Sequence, residues 1–221
     1  MASVSHSTYL TITGVVYLGL ITNLLLVAAA APLVVLLVTT DPALSWPLLA
    51  AVAPLCAPAV CGAFSAFREF GTGGTTPARA FYRGWKTSWG RALPLGAVLT
   101  VVLVVILVDV RFFSASTLSV VVVPLLGVLA VVALGTGAVG LVAITDNPST
   151  RLRHIMRAAL YLSLRKWYLT VITLLVLATQ VALFAMMPAI ALGLTAAPAL
   201  YLAWANSRYT LTLSSQEVLA A

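Results

Sequence analysis

From residue 9 to residue 38 the chain carries no charged side chain, and this run limits which solvent the protein can fold in. A helix needs about 20 apolar residues to cross the hydrocarbon core of a bilayer. Over the whole chain, 62% of the residues are hydrophobic and 8% are charged. Since a soluble domain has about 25% charged residues, this chain has too few polar groups to cover a soluble surface. The sequence therefore predicts an all-α, polytopic membrane protein.

Several apolar runs separated by turn or basic segments indicate a single integral membrane domain covering residues 1–221. The six predicted spans are residues 9–38, 43–66, 92–110, 118–144, 167–186 and 189–206. Three prolines inside the second run should kink it, because proline removes a helical hydrogen bond. The last two spans require a turn near Pro188. Without that turn they form one kinked helix, and the chain has five spans.

Ten of the twelve Lys and Arg residues lie in two blocks between apolar runs, residues 67–91 and 145–166. Arg111 is the only basic residue in the turns assigned to the opposite side. Because Lys and Arg concentrate in cytoplasmic loops, both blocks and the N-terminus are expected in the cytoplasm. The preference for Arg over Lys, with abundant Ala, Val and Leu, favours a bacterial source. The expected location is therefore a bacterial plasma (inner) membrane.

The first basic block predicts an amphipathic helix that begins near Pro77. Its aromatic side chains share one arc and its basic side chains lie opposite, which is typical of a helix lying in the membrane interface. Three arginines of this block recur 74 residues later in the second block, and a true duplication or chance both remain open. The residues expected to contact anionic lipid headgroups or a protein partner are Arg79, Arg83, Lys86, Trp85, Trp89, Arg153, Arg157 and Arg165.

Polar side chains inside the apolar runs are few, and such groups are the usual place to look for function in a membrane protein. The candidates for an intramembrane polar path are Asn23, Gln180 and Asn206. Residues 135–140 read GTGAVG, which has the spacing of a dinucleotide-binding loop but lies within an apolar run. In that setting small residues four apart predict close helix packing rather than nucleotide binding.

The sequence lacks the residue patterns that usually mark a catalytic or metal-binding site. It contains no Ser/His/Asp set, no paired carboxylates and no metal-ligand spacing, so we predict no catalytic residue, metal or cofactor. The chain is not expected to be an enzyme. Its net charge of +7 lies mostly between apolar runs, which favours membrane lipids with anionic headgroups over nucleic acid as partners.

Three segments together resemble a known family of bacterial membrane proteins. They are TNLLLVAAAAPLVV at residues 22–35, FREF at 67–70 and AFYRGWKTSWGRAL at 80–93. These segments resemble the YesL-like family, whose function is unknown. The resemblance covers most of the chain in order, and it implies an accessory component associated with carbohydrate uptake. It implies no active residue.

The expected function is therefore a transport-related membrane component, accessory to a carbohydrate uptake system and in contact with a transporter or another membrane protein. Two alternatives stay open. One is a channel or carrier for a small solute or ion, with Asn23 and Gln180 lining its path. The other is a membrane scaffold or regulator that acts through the cytoplasmic basic helices. The sequence leaves the solute, the partner and homo-oligomerisation undecided.

Overall fold

The computed structural model describes residues 6–147 and 150–220, with side chains for residues 13–147 and 150–212. This part of the chain is almost entirely helical and contains no strand. The helices are α1 (His6–Ala29), α2 (Ala31–Thr39), α3 (Pro42–Val52), α4 (Cys56–Gly71), α5 (Pro77–Phe113), α6 (Ser119–Asp146), α7 (Leu152–Arg165), α8 (Trp167–Met186), α9 (Pro188–Ile190) and α10 (Ala196–Ala220). Residues 148 and 149 of the second basic block lie outside the described residues.

Five helical stretches are long and apolar enough to cross a membrane, which supports the predicted fold class. They are Pro42–Gly71, Pro77–Phe113, Ser119–Asp146, Trp167–Met186 and Pro188–Thr212. A sixth arises if the bent pair Thr13–Ala29 and Ala31–Thr39 counts as one span. The two halves of that pair meet at 73°. Pro32 lies in the first turn of α2, where it ends the regular hydrogen bonding of the preceding helix.

Prolines break the other apolar runs where the sequence predicts. Pro54 lies in a 3₁₀ turn, Ala53–Leu55, that joins α3 to α4 and interrupts the α-helix of the second span. At the C-terminal side, α8 ends at Met186 and a new helix begins at Pro188. The two arms of this turn are antiparallel, because Asn206 near the end of the second arm reaches Leu169 at the start of the first. Two spans therefore replace the single kinked helix of the alternative prediction.

α5 corrects the expectation that the first basic block forms a separate helix along the membrane surface. The helix begins at Pro77, as predicted, but continues without a break to Phe113. α4 packs closely along it, because glycines of the two helices sit against the opposite backbone or side chains. The expected lipid-facing aromatic arc is consequently divided, since Phe81 is buried in the protein while Tyr82 is 58% exposed.

The second basic block does form a helix of its own. α7 is amphipathic, with Ile155 and Ala159 buried and Arg153 and Arg157 exposed. It ends at Lys166, whose φ of −109° and ψ of 46° separate α7 from the following span. A simple duplication would preserve the break between the basic helix and the following span. That break is present after α7 and absent from α5, so the two basic blocks differ in this feature.

The core lies where α1, α4, α5, α6 and α10 meet. Its buried side chains include Leu18, Phe64, Phe67, Phe81, Val142 and Trp204. The GTGAVG segment lies on α6 and serves packing, as predicted. A Cβ added to Gly135 would overlap Thr170 of α8, and one added to Gly137 would come 2.6 Å from Leu99 of α5. Valines and leucines cover the outer faces of α5 and α6, as expected of surfaces that contact lipid.

Candidate anion-binding pocket

A polar pocket of about 210 Å³ lies between the C-terminal end of α4, the first half of α5 and the last turn of α6. The lining residues are Ser65, Arg68, Glu69, Arg83, Gly84, Thr87, Ser88, Arg91, Ile144 and Thr145. Three of these residues are arginines and one is acidic, so the lining carries an excess of positive charge. We call this region the arginine pocket.

Small residues on α4 and α5 shape the wall of the arginine pocket. Gly84 faces Ser65 so closely that a Cβ on the glycine would overlap the serine side chain. The Ser65 hydroxyl donates to the carbonyl of Cys61 at 3.0 Å, and the Ser88 hydroxyl donates to the carbonyl of Gly84 at 2.7 Å. Both serines thus bond to their own helices, which fixes their orientation at the pocket wall.

Carboxylates hold two of the pocket arginines in place. Arg68 Nη1 donates to the carbonyl of Thr145 at 2.6 Å and lies 3.4 Å from Asp146 Oδ1, which ties α4 to the end of α6. Arg83 forms an ion pair with Glu69 across the loop between α4 and α5. These pairs are partly exposed, so each is expected to add at most about 1 kcal/mol of stability. Their main effect is to position the guanidinium groups.

Arg91 differs from the other two because one nitrogen of its guanidinium group is buried without a partner. Nη1 is shielded from solvent and makes no hydrogen bond to any described residue. The charged residues that line the pocket with it are Arg68, Arg83 and Glu69. Guanidinium groups bind carboxylate and phosphate oxygens through paired hydrogen bonds. The surplus charge and the free donor therefore make this pocket a candidate site for an anionic group.

The predicted headgroup-contacting residues of the first block separate into two sets. Arg83 lines the arginine pocket, whereas Arg79 and Lys86 are exposed outside it. Trp85 and Trp89 pack edge to face with ring centroids 5.2 Å apart. Trp85 is half-buried and Trp89 is 38% exposed, so this aromatic pair lies at the rim of the bundle rather than in its core.

The predicted residues of the second block lie away from the arginine pocket, on α7. Arg153 and Arg157 line a separate apolar groove against α5 and α6. The Arg165 guanidinium lies 6.0 Å from the centre of the Tyr161 ring. The structure therefore does not bring the two arginine triads of the sequence repeat into one site.

Arg68 and Arg91 belong to this site but were not singled out from the sequence. Both lie at the border between an apolar run and the first basic block. Their position at this border, with Glu69 next to Arg68, was the sequence signal that could have identified them as site residues. Their convergence depends on how α4, α5 and α6 cross, and no periodicity within one helix reveals it.

Asn23 bridges α1 to the last span. Its side chain is 2% exposed, with Nδ2 donating to the carbonyl of Gly193 at 2.9 Å and Oδ1 accepting from the backbone N–H of Ala197 at 2.6 Å. Those two backbone groups are four residues apart and would bond to each other in an α-helix. A π-helical turn, Ala191–Thr195, separates them. The Asn23 amide is inserted into the gap and restores both bonds.

The other two intramembrane amides join the arms of the C-terminal hairpin. Gln180 Nε2 donates to the carbonyl of Ala191 at 2.8 Å, and Gln180 Oε1 accepts from Thr195 Oγ1 at 2.9 Å. Asn206 Nδ2 donates to the carbonyl of Leu169 at 2.6 Å. Both amides therefore connect α8 to the final span by hydrogen bonds within the protein.

The region that carries Asn23 and the pocket arginines can be compared with known families. One family model matches, and that family is described as a protein of unknown function, DUF624. Residues 20–110 match the DUF624 family. The match runs from α1 to near the end of α5, and it includes Arg68, Arg83 and Arg91 but not the α6 wall of the pocket. The YesL-like resemblance is consistent with the DUF624 match. No curated protein and no solved structure matches this chain.

Proposed function

We propose that the chain is a membrane component that binds an anionic ligand at its basic end and serves a solute uptake system as an accessory subunit. The observation that carries the first part is the buried, unpartnered Nη1 of Arg91 inside the arginine pocket. Because Nη1 is shielded from solvent in this conformation, a small carboxylate- or phosphate-bearing molecule would supply its acceptor when the Arg91 side chain turns toward the pocket. The hydroxyls of Ser65, Ser88 and Thr87 already donate to carbonyls of their own helices, so the guanidinium groups are the donors left for the ligand.

The hydrogen bonds of the intramembrane amides favour an accessory role over a channel or carrier. Asn23, Gln180 and Asn206 each bond to backbone carbonyls of neighbouring helices. Amides used in this way stabilise helix association and leave less polar capacity for a permeating solute. The association with carbohydrate uptake comes from the YesL-like resemblance, and the DUF624 match, whose family has no known function, is consistent with that resemblance.

Inorganic phosphate should stabilise the purified full-length protein in a lipid-free detergent micelle, and this effect should depend on Arg91. Arg91→Gln removes the charge and the free donor, so we expect phosphate affinity to fall at least about tenfold. The measurement is the phosphate dependence of the melting temperature, with isothermal titration calorimetry for the affinity. Arg79→Gln is the matched control, because Arg79 is exposed outside the pocket on the same helix.

The proposal is overturned if phosphate does not bind, or if both variants bind it equally well. Excess phosphatidylglycerol in the same micelles tests whether the pocket binds a soluble ligand or a lipid headgroup. Phosphate remains bound if the pocket is specific for a soluble ligand, and the lipid displaces it if the pocket binds a headgroup. Phosphate flux into liposomes containing the protein would identify a carrier and would contradict the accessory role.

We also propose that the basic end faces the cytoplasm of a bacterial cell, because Lys and Arg concentrate there. Thr75 lies before the first residue of α5 and Ala115 lies after its last, so the two residues are at opposite ends of this helix. Both are exposed. In a chain with both native cysteines replaced by alanine, Ala115→Cys should react with a membrane-impermeant maleimide in spheroplasts. Thr75→Cys should react only after lysis. Labelling in the reverse order would show the opposite orientation.

A further inference from the structure

An apolar groove of about 850 Å³ runs along the outside of the bundle between α5, α6 and α7. Its α5 wall extends from Leu95 to Asp109, about 21 Å at the helical rise of 1.5 Å per residue. Eleven of the nineteen residues that line the groove are Val or Leu. A hydrocarbon chain is the occupant that such a wall suits, because it requires no hydrogen bonds.

The polar groups of the groove lie almost entirely at its two ends. Arg153 and Arg157 stand one helical turn apart at the α7 end, and Asp109 stands at the other end. Thr136 is the single hydroxyl between them, and its donor is already used by the carbonyl of Val132 at 2.7 Å. An anionic headgroup therefore fits only the α7 end, where like-charge repulsion from Asp109 is absent.

The two groove arginines are available for such a headgroup. Both are exposed, and no ion pair joins either one to another described residue. Leu152 and Met156 lie beside them and continue the apolar wall up to the charged groups. Paired guanidinium groups one turn apart on an amphipathic helix suit a phosphate at the membrane surface.

We propose that this groove holds an anionic glycerophospholipid, with its phosphate on Arg153 and Arg157 and its acyl chains along α5 and α6. This site is separate from the arginine pocket and does not rest on the function proposed for it. A membrane helix of another protein is the competing occupant. The arginine pair favours the lipid, because an apolar partner helix would leave both charges uncompensated.

The test measures retention of phosphatidylglycerol and of phosphatidylcholine by the purified full-length protein, using native mass spectrometry after extraction from vesicles containing equal amounts of both lipids. The chain should retain phosphatidylglycerol in preference. At about 1 kcal/mol per basic residue, Arg153→Gln with Arg157→Gln should weaken retention about thirtyfold. Arg111→Gln with Arg151→Gln removes the same charge from two exposed residues that do not line the groove, and it should leave retention unchanged.

A second variant tests the groove itself without altering charge. Ala133 lines it, so Ala133→Phe should fill it and displace the lipid while both arginines remain. Melting temperatures identify variants that fail to fold, and Val102→Phe on the opposite wall then replaces Ala133→Phe. The proposal is wrong if the two double variants lose lipid equally, if phosphatidylcholine is retained as well as phosphatidylglycerol, or if filling the groove has no effect. Copurification of another membrane protein through the groove in place of lipid would also overturn it.

Discussion

Replacing Asn23 with leucine should lower the free energy of unfolding by about 2–4 kcal/mol, although the two side chains are close in size. Leucine cannot bond to the Gly193 carbonyl or the Ala197 N–H, which Asn23 contacts at 2.9 and 2.6 Å. Leaving a buried polar group unsatisfied costs about 1–3 kcal/mol. Water cannot substitute inside a bilayer, so both groups stay unpaired unless the π-helical turn rearranges. Reversible unfolding in mixed micelles measures the loss.

Thr136→Val is the control for this substitution, because it removes a partly buried side-chain hydrogen bond that stays within one helix. Thr136 donates only to Val132 of α6, so its loss separates no pair of helices. If Asn23→Leu costs no more than Thr136→Val, the bridge does not stabilise the bundle. That outcome would mean that residues 191–197 regain regular α-helical hydrogen bonding when the amide is absent.

Gly84→Ala should destabilise the protein by about 1–3 kcal/mol and also weaken binding in the arginine pocket. The new Cβ would overlap the Ser65 side chain, which is buried and bonded to Cys61. α4 and α5 would have to move apart, and overpacking of this kind typically costs the stated amount. Because Gly84 and Ser65 both line the pocket, the same displacement should reduce the affinity for inorganic phosphate.

Gly90 provides a matched control on the same helix. A Cβ added there meets nothing within 4 Å, so Gly90→Ala should stabilise α5 by up to about 1 kcal/mol through helix propensity. Melting temperatures of the two variants in one detergent should therefore move in opposite directions. Equal stability of Gly84→Ala and the unmodified chain would show that α4 and α5 are not packed as closely as described.

The sequence was sufficient for features that depend on local composition. Long uncharged runs predict spans, and Pro54 and Pro188 predicted the interruptions of regular α-helix that are found at those positions. The small residues of the GTGAVG segment likewise predicted close packing. The unbroken course of α5 was not predictable, because the change from basic to apolar residues suggested a boundary. Packing against α4 decides that point.

The candidate site was predictable only in part. Asn23, Gln180 and Asn206 stand out because amides are rare in apolar runs, but their partners lie as far as 174 residues away in the chain. The role of Asn23 in a π-helical turn therefore had no sequence signal. Arg68 and Arg91 were visible as basic residues, while their meeting in one pocket follows from the crossing of three helices.

Because α5 is continuous, one helix carries parts of both proposed binding sites. Arg83 and Arg91 of the arginine pocket lie on its first half, and the groove wall from Leu95 to Asp109 forms its second half. No joint separates the two halves. Any tilt of α5 against α4 therefore displaces the pocket guanidinium groups and the lipid groove together. An anion that selects one tilt would change lipid affinity, and the lipid would change anion affinity by the same factor.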